Sequence, residues 1–312
     1  MSEEAAPPAA GAARVAAIDC GTNSIRLLIA DLADGQLIEV DRRMTIVRLG
    51  QGVDATGAFA PEALARVFAA CSDFASVIRS AAVGRIRFVA TSAARDVSNR
   101  DAFFTGVEQR LGVQPEIISG REEAELSFRG ATTSLDLPAP YLVADIGGGS
   151  TELVLGDANG VLAAESLDIG SVRLTERHVT TDPTSPAELA AITRDVDALL
   201  DGTTVPLAQA RALIGVAGTA TTVAAVALGL PQYDRTAVHH AHLSADQLHQ
   251  ATTWLTTSTR TDRAAVHSIH PGRVDVIGAG AVILQHLFNR LALDELVISE
   301  QDILDGVALS LT

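Results

Sequence analysis

The sequence predicts an α/β protein made of two similar units, and three observations lead there. A strand–turn–strand segment occurs twice, at residues 17–31 and 143–157. Apolar strands feed helices in two successive series, the pattern of α/β layers. The 312 residues, 47% hydrophobic and 20% charged, are enough to bury two cores.

With Asp19 laid on Asp145, the two copies agree at Gly21 and Gly147, at Ser24 and Ser150, and at Asp31 and Asp157. Each copy is an apolar strand, a carboxylate, a turn of small residues and a second strand. A turn rich in glycine and hydroxyl groups can aim several backbone N–H groups at one phosphate. An aspartate beside it can hold a divalent cation, directly or through water. The copies differ where Arg26 takes the position of Glu152. Arginine suits a bound phosphate and glutamate a bound cation. A plain hairpin turn is the competing reading of Gly147-Gly148-Gly149-Ser150.

The remaining elements follow in order. Arg14 to Asp41 reads as three strands, the second and third joined at Asp34-Gly35. Pro61 to Ser80 carries apolar residues at helical spacing behind a first-turn proline. Arg85 to Ala90 is a strand that runs into Thr91-Ser92-Ala93-Ala94-Arg95, followed by a helix over 101–111, with Phe103 and Phe104 as core residues, and a short strand over 115–118. Another helix starts at Ser119. A proline-flanked loop at 137–140 precedes the second series: a hairpin over 141–156, a strand over 161–166, and helical segments on either side of Thr180. Strand 211–216 opens into Gly218-Thr219 and an alanine-rich helix, 273–289 reads as a helix, and strand 295–299 and helix 301–309 close the chain.

Composition excludes several function classes. The net charge of −15 argues against a general nucleic-acid binder. All 23 basic residues are arginine, so a Walker A loop or a kinase phosphate lysine is ruled out. Anions must then be held by arginine, by backbone amides or through a metal. Cys20 and Cys71 give no metal spacing or disulfide framework and read as buried thiols. Met1 to Ala13 reads as a disordered lead-in without the features of a signal peptide. No apolar run approaches a membrane span, and the expectation is a soluble, cytoplasmic protein with no membrane partner.

Four further segments have chemical and structural readings side by side. Ser119-Gly120-Arg121-Glu122-Glu123-Ala124-Glu125 places three carboxylates in a first helical turn, where the helix dipole favours them. Ser119 and Glu122 have capping-box spacing, which occupies Glu122 and leaves Glu123 as the freer carboxylate. Thr91-Ser92-x-x-Arg95 and Gly215-x-x-Gly218-Thr219 each leave a strand for a helix, as an anion site or as an ordinary capped start. His239, His240 and His242 lack a metal-ligand pattern; strand alternation puts His240 and His242 on one face, in surface or packing roles. Trp254 reads as a core residue.

Together these motifs, in this order and spacing, resemble the exopolyphosphatase / guanosine pentaphosphate phosphohydrolase (Ppx/GppA) family, over nearly the whole chain from residue 14. The chain is similar to the short, two-domain actinobacterial form. The resemblance implies two ribonuclease H-like domains of the actin-like ATPase superfamily around an interdomain cleft, at 14–134 and 135–299, with helix 300–312 packing back on the first. It implies an Mg2+-dependent hydrolase, Mn2+ being the alternative ion, and a homodimer. By position, Glu123 matches the residue that activates water, and Asp145 and Glu152 match the metal-linked acids; apart from this match, Asp19 beside its own turn reads as a further ligand acting through water. Gly21, Thr22, Asn23, Ser24, Thr91, Ser92, Arg95, Gly147, Gly148, Gly149, Ser150, Gly218 and Thr219 match the phosphate-holding loops, and beside this match the residues themselves offer Arg26 with Arg95 as positive charge for the phosphates. Glu300 stands where relatives carry aspartate and receives no role. Inorganic polyphosphate is the expected substrate. The alternatives are guanosine pentaphosphate (pppGpp) and, in another class, a non-hydrolysing sensor of these phosphates.

Overall fold

The computed structural model describes residues 13–33, 36–95, 97–133 and 135–311. The Asp34-Gly35 turn and the lead-in up to residue 12 lie outside the described residues, and Ala13 already opens the first strand. The chain divides into one unit of residues 1–130 and 303–312 and a second of residues 131–302.

The first unit contains strands β1 (Ala13–Cys20), β2 (Ser24–Ala33) and β3 (Gln36–Ile46), then helices α1 (Val53–Thr56) and α2 (Pro61–Ser80). Strand β4 (Arg85–Ala90), helices α3 (Ser92–Arg95) and α4 (Arg100–Leu111), strand β5 (Glu116–Ile117) and helix α5 (Gly120–Thr132) follow. The sheet order is β3-β2-β1-β4-β5; the first three strands are antiparallel, and β4 and β5 run parallel to β1. Strand β1 is central and buried on both faces, which explains its unbroken apolar run.

Alternation along β1 sorts its side chains between two cores. Ala16, Ile18 and Cys20 join a cluster with Val67, Cys71 and Phe74 of α2 and Phe103 of α4. Val15 and Ala17 face the other way, onto Leu304, Val307 and Ala308. Cys20 and Cys71 are both buried and free, and burial pushes both thiols up, that of Cys71 to about 12.

The second unit repeats the plan. Strands β6 (Tyr141–Ile146), β7 (Thr151–Asp157) and β8 (Gly160–Leu167) are antiparallel. Helices α6 (Ser171–His178) and α7 (Pro186–Asp201) precede β9 (Ala212–Val216) and α8 (Ala217–Ala227). After α9 (Arg235–Val238), β10 (His242–Ser244), α10 (Ala245–Thr257), α11 (Arg260–Ala265) and α12 (Ile277–Phe288) comes β11 (Glu295–Ile298). The order β10-β11-β9-β6-β7-β8 contains the first unit's arrangement read from β8, with β10 added at the far edge. Both units are thus mixed α/β sheets of ribonuclease H-like topology. Helix α13 (Ile303–Leu309) belongs to the first unit, where Gly306 sits against α5: a Cβ there would lie 1.9 Å from the Leu126 carbonyl oxygen.

Three local expectations are corrected. The 273–289 helix starts at Ile277, after a 3-10 turn over Pro271–Arg273. His239 and His240 do not lie on a strand: α9 ends before them, His240 has a φ of 62°, and their rings stack at 3.7 Å. The Ser119 hydroxyl accepts from the Glu122 N–H at 3.1 Å, but the Glu122 carboxylate turns to Arg87, 2.7 Å away, instead of closing a capping box.

Candidate active site

In each unit the candidate residues gather beyond the carboxyl ends of the parallel strands, where open α/β sheets receive ligands. In the first unit, the end of β1 accepts from the Thr91 N–H (3.2 Å to Cys20 O), and the end of β4 accepts from the Ile118 N–H (3.2 Å to Ala90 O). This brings three chain segments to one edge. The duplicated turns close identically, Gly21 N–H on Ser24 O at 2.9 Å and Gly147 N–H on Ser150 O at 3.0 Å. Among the described residues, the N–H groups of Thr22, Asn23, Gly148 and Gly149 find no intramolecular acceptor. Such outward amides form an anion-receiving nest.

The first turn is joined to the β4 end by the hydroxyls of Thr22 and Ser92, 3.1 Å apart. Helix α5 then delivers Glu123, which is 7% exposed. Its carboxylate accepts from Arg95, whose Nε also donates to the Ile118 carbonyl at 3.1 Å. Thr22, Thr91, Ser92, Arg95 and Glu123 therefore share one edge. Asp19 and Arg26 pair with each other instead: the Asp19 Oδ2 atom accepts from Arg26 Nη2 at 2.6 Å and from Nε at 3.1 Å.

In the second unit the equivalent position holds two acids. Asp145 and Glu152 are direct partners across β6 and β7, 6% and 1% exposed, so their side chains share one face. Ser166, opposite Glu152 on β8, donates to its Oε1 at 2.7 Å. The turn between them is fixed from behind by α6, whose Ser171 and Val172 amides donate to the carbonyls of Gly147 (2.9 Å) and Gly148 (2.8 Å). Gly170 lets α6 come this close, since a Cβ there would lie 2.4 Å from Gly148 O. Gly218 and Thr219 open α8, and Gly218 O accepts from Arg273 Nη1 at 3.1 Å. Ser171 and Thr219 meet at Gly280, whose Cβ would lie 3.2 Å from one and 2.7 Å from the other.

Sequence reasoning missed several supports. Arg48 and Val47 donate their amides to Asn23 O at 2.9 and 3.0 Å, and Gly50 donates to Thr22 O at 2.9 Å. Arg48 has a φ of 47°, and a Cβ at Gly50 would lie 2.2 Å from Thr22 Cγ2. The Leu49-Gly50-Gln51-Gly52 run was the available signal. Arg173 (Nε to Gly149 O, 2.7 Å) and Arg273 had none, because they reach their turns from distant chain positions. Glu300 accepts from the Tyr233 hydroxyl and lies 3.4 Å from Arg235 Nε. Burial, then the Glu300 charge, push the Tyr233 phenol up, so it remains a donor. Within neither unit do three or more described His, Cys, Asp or Glu side chains assemble as a ready cation cage.

The model of the Ppx/GppA phosphatase family matches residues 28–312. The chain belongs to the Ppx/GppA phosphatase family. It is 51% identical to exopolyphosphatase 2 of Mycobacterium tuberculosis, over 96% of this chain and 98% of the relative. The crystal structure of an exopolyphosphatase-like protein superposes with a TM-score of 0.93 at 45% identity, covering 96% of this chain and 98% of that one. A Ppx/GppA protein of Aquifex aeolicus superposes with a TM-score of 0.82 at 29% identity, covering 96% and 97%. Membership of the Ppx/GppA family makes this chain a hydrolase. No helix among the described residues is long and apolar enough to cross a membrane.

Proposed function

We propose that this Ppx/GppA protein is an exopolyphosphatase that removes the terminal phosphate of inorganic polyphosphate, with Mg2+ held by Asp145 and Glu152. The observation that supports it best is the facing of these two buried carboxylates at the position where the first unit has Asp19 and Arg26. Like charges directly opposite on a sheet are unfavourable. Two hard oxygen donors on one face of the sheet match the preference of Mg2+. Bound there, the ion neutralises phosphate oxygens.

The chain's own residues supply the rest. The amides of Thr22, Asn23, Gly148 and Gly149 receive phosphate oxygens, with the hydroxyls of Ser92 and Thr219 nearby on their own units. Glu123 orients a water and takes one of its protons as the water oxygen attacks the terminal phosphorus in line. The bridging oxygen leaves with its electron pair, giving orthophosphate and a chain one unit shorter. In the resting state Glu123 is ion-paired with Arg95. On substrate binding Arg95 transfers to a phosphate oxygen and frees the carboxylate as a base.

Phosphate release from long-chain polyphosphate, pppGpp and ATP, each with and without Mg2+, tests this reading. The expected result is Mg2+-dependent release with the highest kcat/KM on polyphosphate. Preference for pppGpp would move the substrate assignment to the guanosine nucleotide, and binding without release from any of the three would make the protein a sensor.

A further inference from the structure

The second unit holds a cavity of about 500 Å3 at the C-terminal end of α8, against α10 and the segment around Val266. It is separate from the phosphate loops: Gly218 and Thr219 lie at the opposite end of α8, roughly 15 Å away by the helix rise. Its volume lies within the range of small-molecule sites. Small side chains on the helices, Ala225 and Ala227 among them, leave the space open.

The lining has an unusual chemistry. Among the described residues, no charged side chain lines it. One wall is Trp254, the single tryptophan of the chain. Its indole N–H finds no acceptor among the described residues. Ser268 is 1% exposed, and its buried hydroxyl has no hydrogen-bond partner among the described residues. Leaving such a group unpaired is unfavourable, so a ligand that pairs with it gains a hydrogen bond. Gln247 accepts from the Ser244 N–H through Oε1 at 3.0 Å, which leaves its NH2 group for the cavity. Gln250 adds a second amide at the mouth.

An aromatic face, a buried hydroxyl and two amides, with no cation, match one class of ligand. The ring must be flat to stack on indole, and its edge must offer both donors and acceptors. It must also be neutral, because nothing here compensates an anion. We propose that this cavity binds a neutral purine-type heterocycle, with the ring against Trp254 and its edge read by Ser268 and the two glutamines. Amide side chains supply the paired donor and acceptor that purine edges present.

Trp254 is also the reporter. The full chain is titrated with adenosine, guanosine and AMP while tryptophan emission is followed, and the same mixtures are read by ligand-observed NMR. Saturable binding of a nucleoside, no tighter for AMP than for adenosine, is the expected result. Ser268→Ala should weaken it about tenfold. Ala227→Met, which fills the cavity from a half-buried position, should abolish it while circular dichroism stays unchanged. No saturable signal by either method up to millimolar concentration overturns the proposal. So does binding that survives both substitutions unchanged, since the nucleoside is then elsewhere.

Discussion

Asp145 stands directly opposite Glu152 across β6 and β7, so two buried carboxylates share one face of a sheet. In the first unit the same register position holds Asp19 and Arg26, joined by a 2.6 Å ion pair. The repeated hairpin thus carries an internally neutralised pair in one copy and an acid pair in the other. Asp145→Asn should remove a cation ligand while keeping the size of the side chain. Wild-type Tm should rise with Mg2+, by about 2.7 kcal/mol at a concentration 100 times Kd. The variant should lose that rise and most of its phosphate release. Calorimetry with and without Mg2+ decides; an equal Mg2+ response in both proteins contradicts the assignment.

Glu123 is buried beside Arg95, and a base role predicts a particular kinetic split. Glu123→Gln keeps the size and polarity of the side chain. It should lower kcat by roughly 10²–10⁴ with KM little changed. Near-normal turnover at saturating Mg2+ removes Glu123 from the chemistry.

Two glycines separate site geometry from stability. A methyl group at Gly170 would press on the backbone of the 147–150 turn, and one at Gly306 would press on the Leu126 carbonyl. Each alanine variant should lose about 1–3 kcal/mol, which is a fall in Tm of roughly 3–10 °C. Gly170→Ala should also raise KM for the phosphate substrate, because the turn moves. Gly306→Ala should keep the turnover of the molecules that remain folded. Identical kinetic effects would show that the turn tolerates displacement.

The Glu188 carboxylate accepts from the hydroxyls and amides of Thr181, Ser185 and Thr180. These hydrogen bonds, Thr181 first, hold its pKa well below the usual carboxylate range. A depressed folded-state pKa contributes stability above the unfolded pKa and loses it as pH falls. Wild-type Tm should therefore drop more steeply than that of Glu188→Gln from about pH 5 downward. Parallel Tm curves in thermal melts across this range would show that the hydrogen bonds do not discriminate protonation states.

What the sequence revealed, and what it hid, divides by distance along the chain. Strands β1, β4, β6 and β9 were readable because buried apolar runs end at glycine or hydroxyl residues. The Arg26-for-Glu152 exchange was readable because the two copies align without a gap. Glu122 was misread because capping-box spacing is local, while its partner Arg87 arrives from a neighbouring strand. The histidine segment was misread as alternating because His240 takes a left-handed backbone that its residue type does not announce. Arg48, Gly50, Arg173 and Arg273 support the turns through tertiary approach, and neither periodicity nor spacing encodes such approach.

The position of α13 has a consequence for how the protein is made. Leu304, Val307 and Ala308 complete the core under Val15 and Ala17, so of the two units the one that starts to emerge earlier from the ribosome is finished later. Residues 131–302 come out in between, as a unit with its own core. At ~5–20 residues per second, the apolar underside of β1 waits on the order of ten to thirty seconds for its cover. During that interval it is a surface for chaperones, and slowing translation before residue 303 should lengthen their hold on the nascent chain.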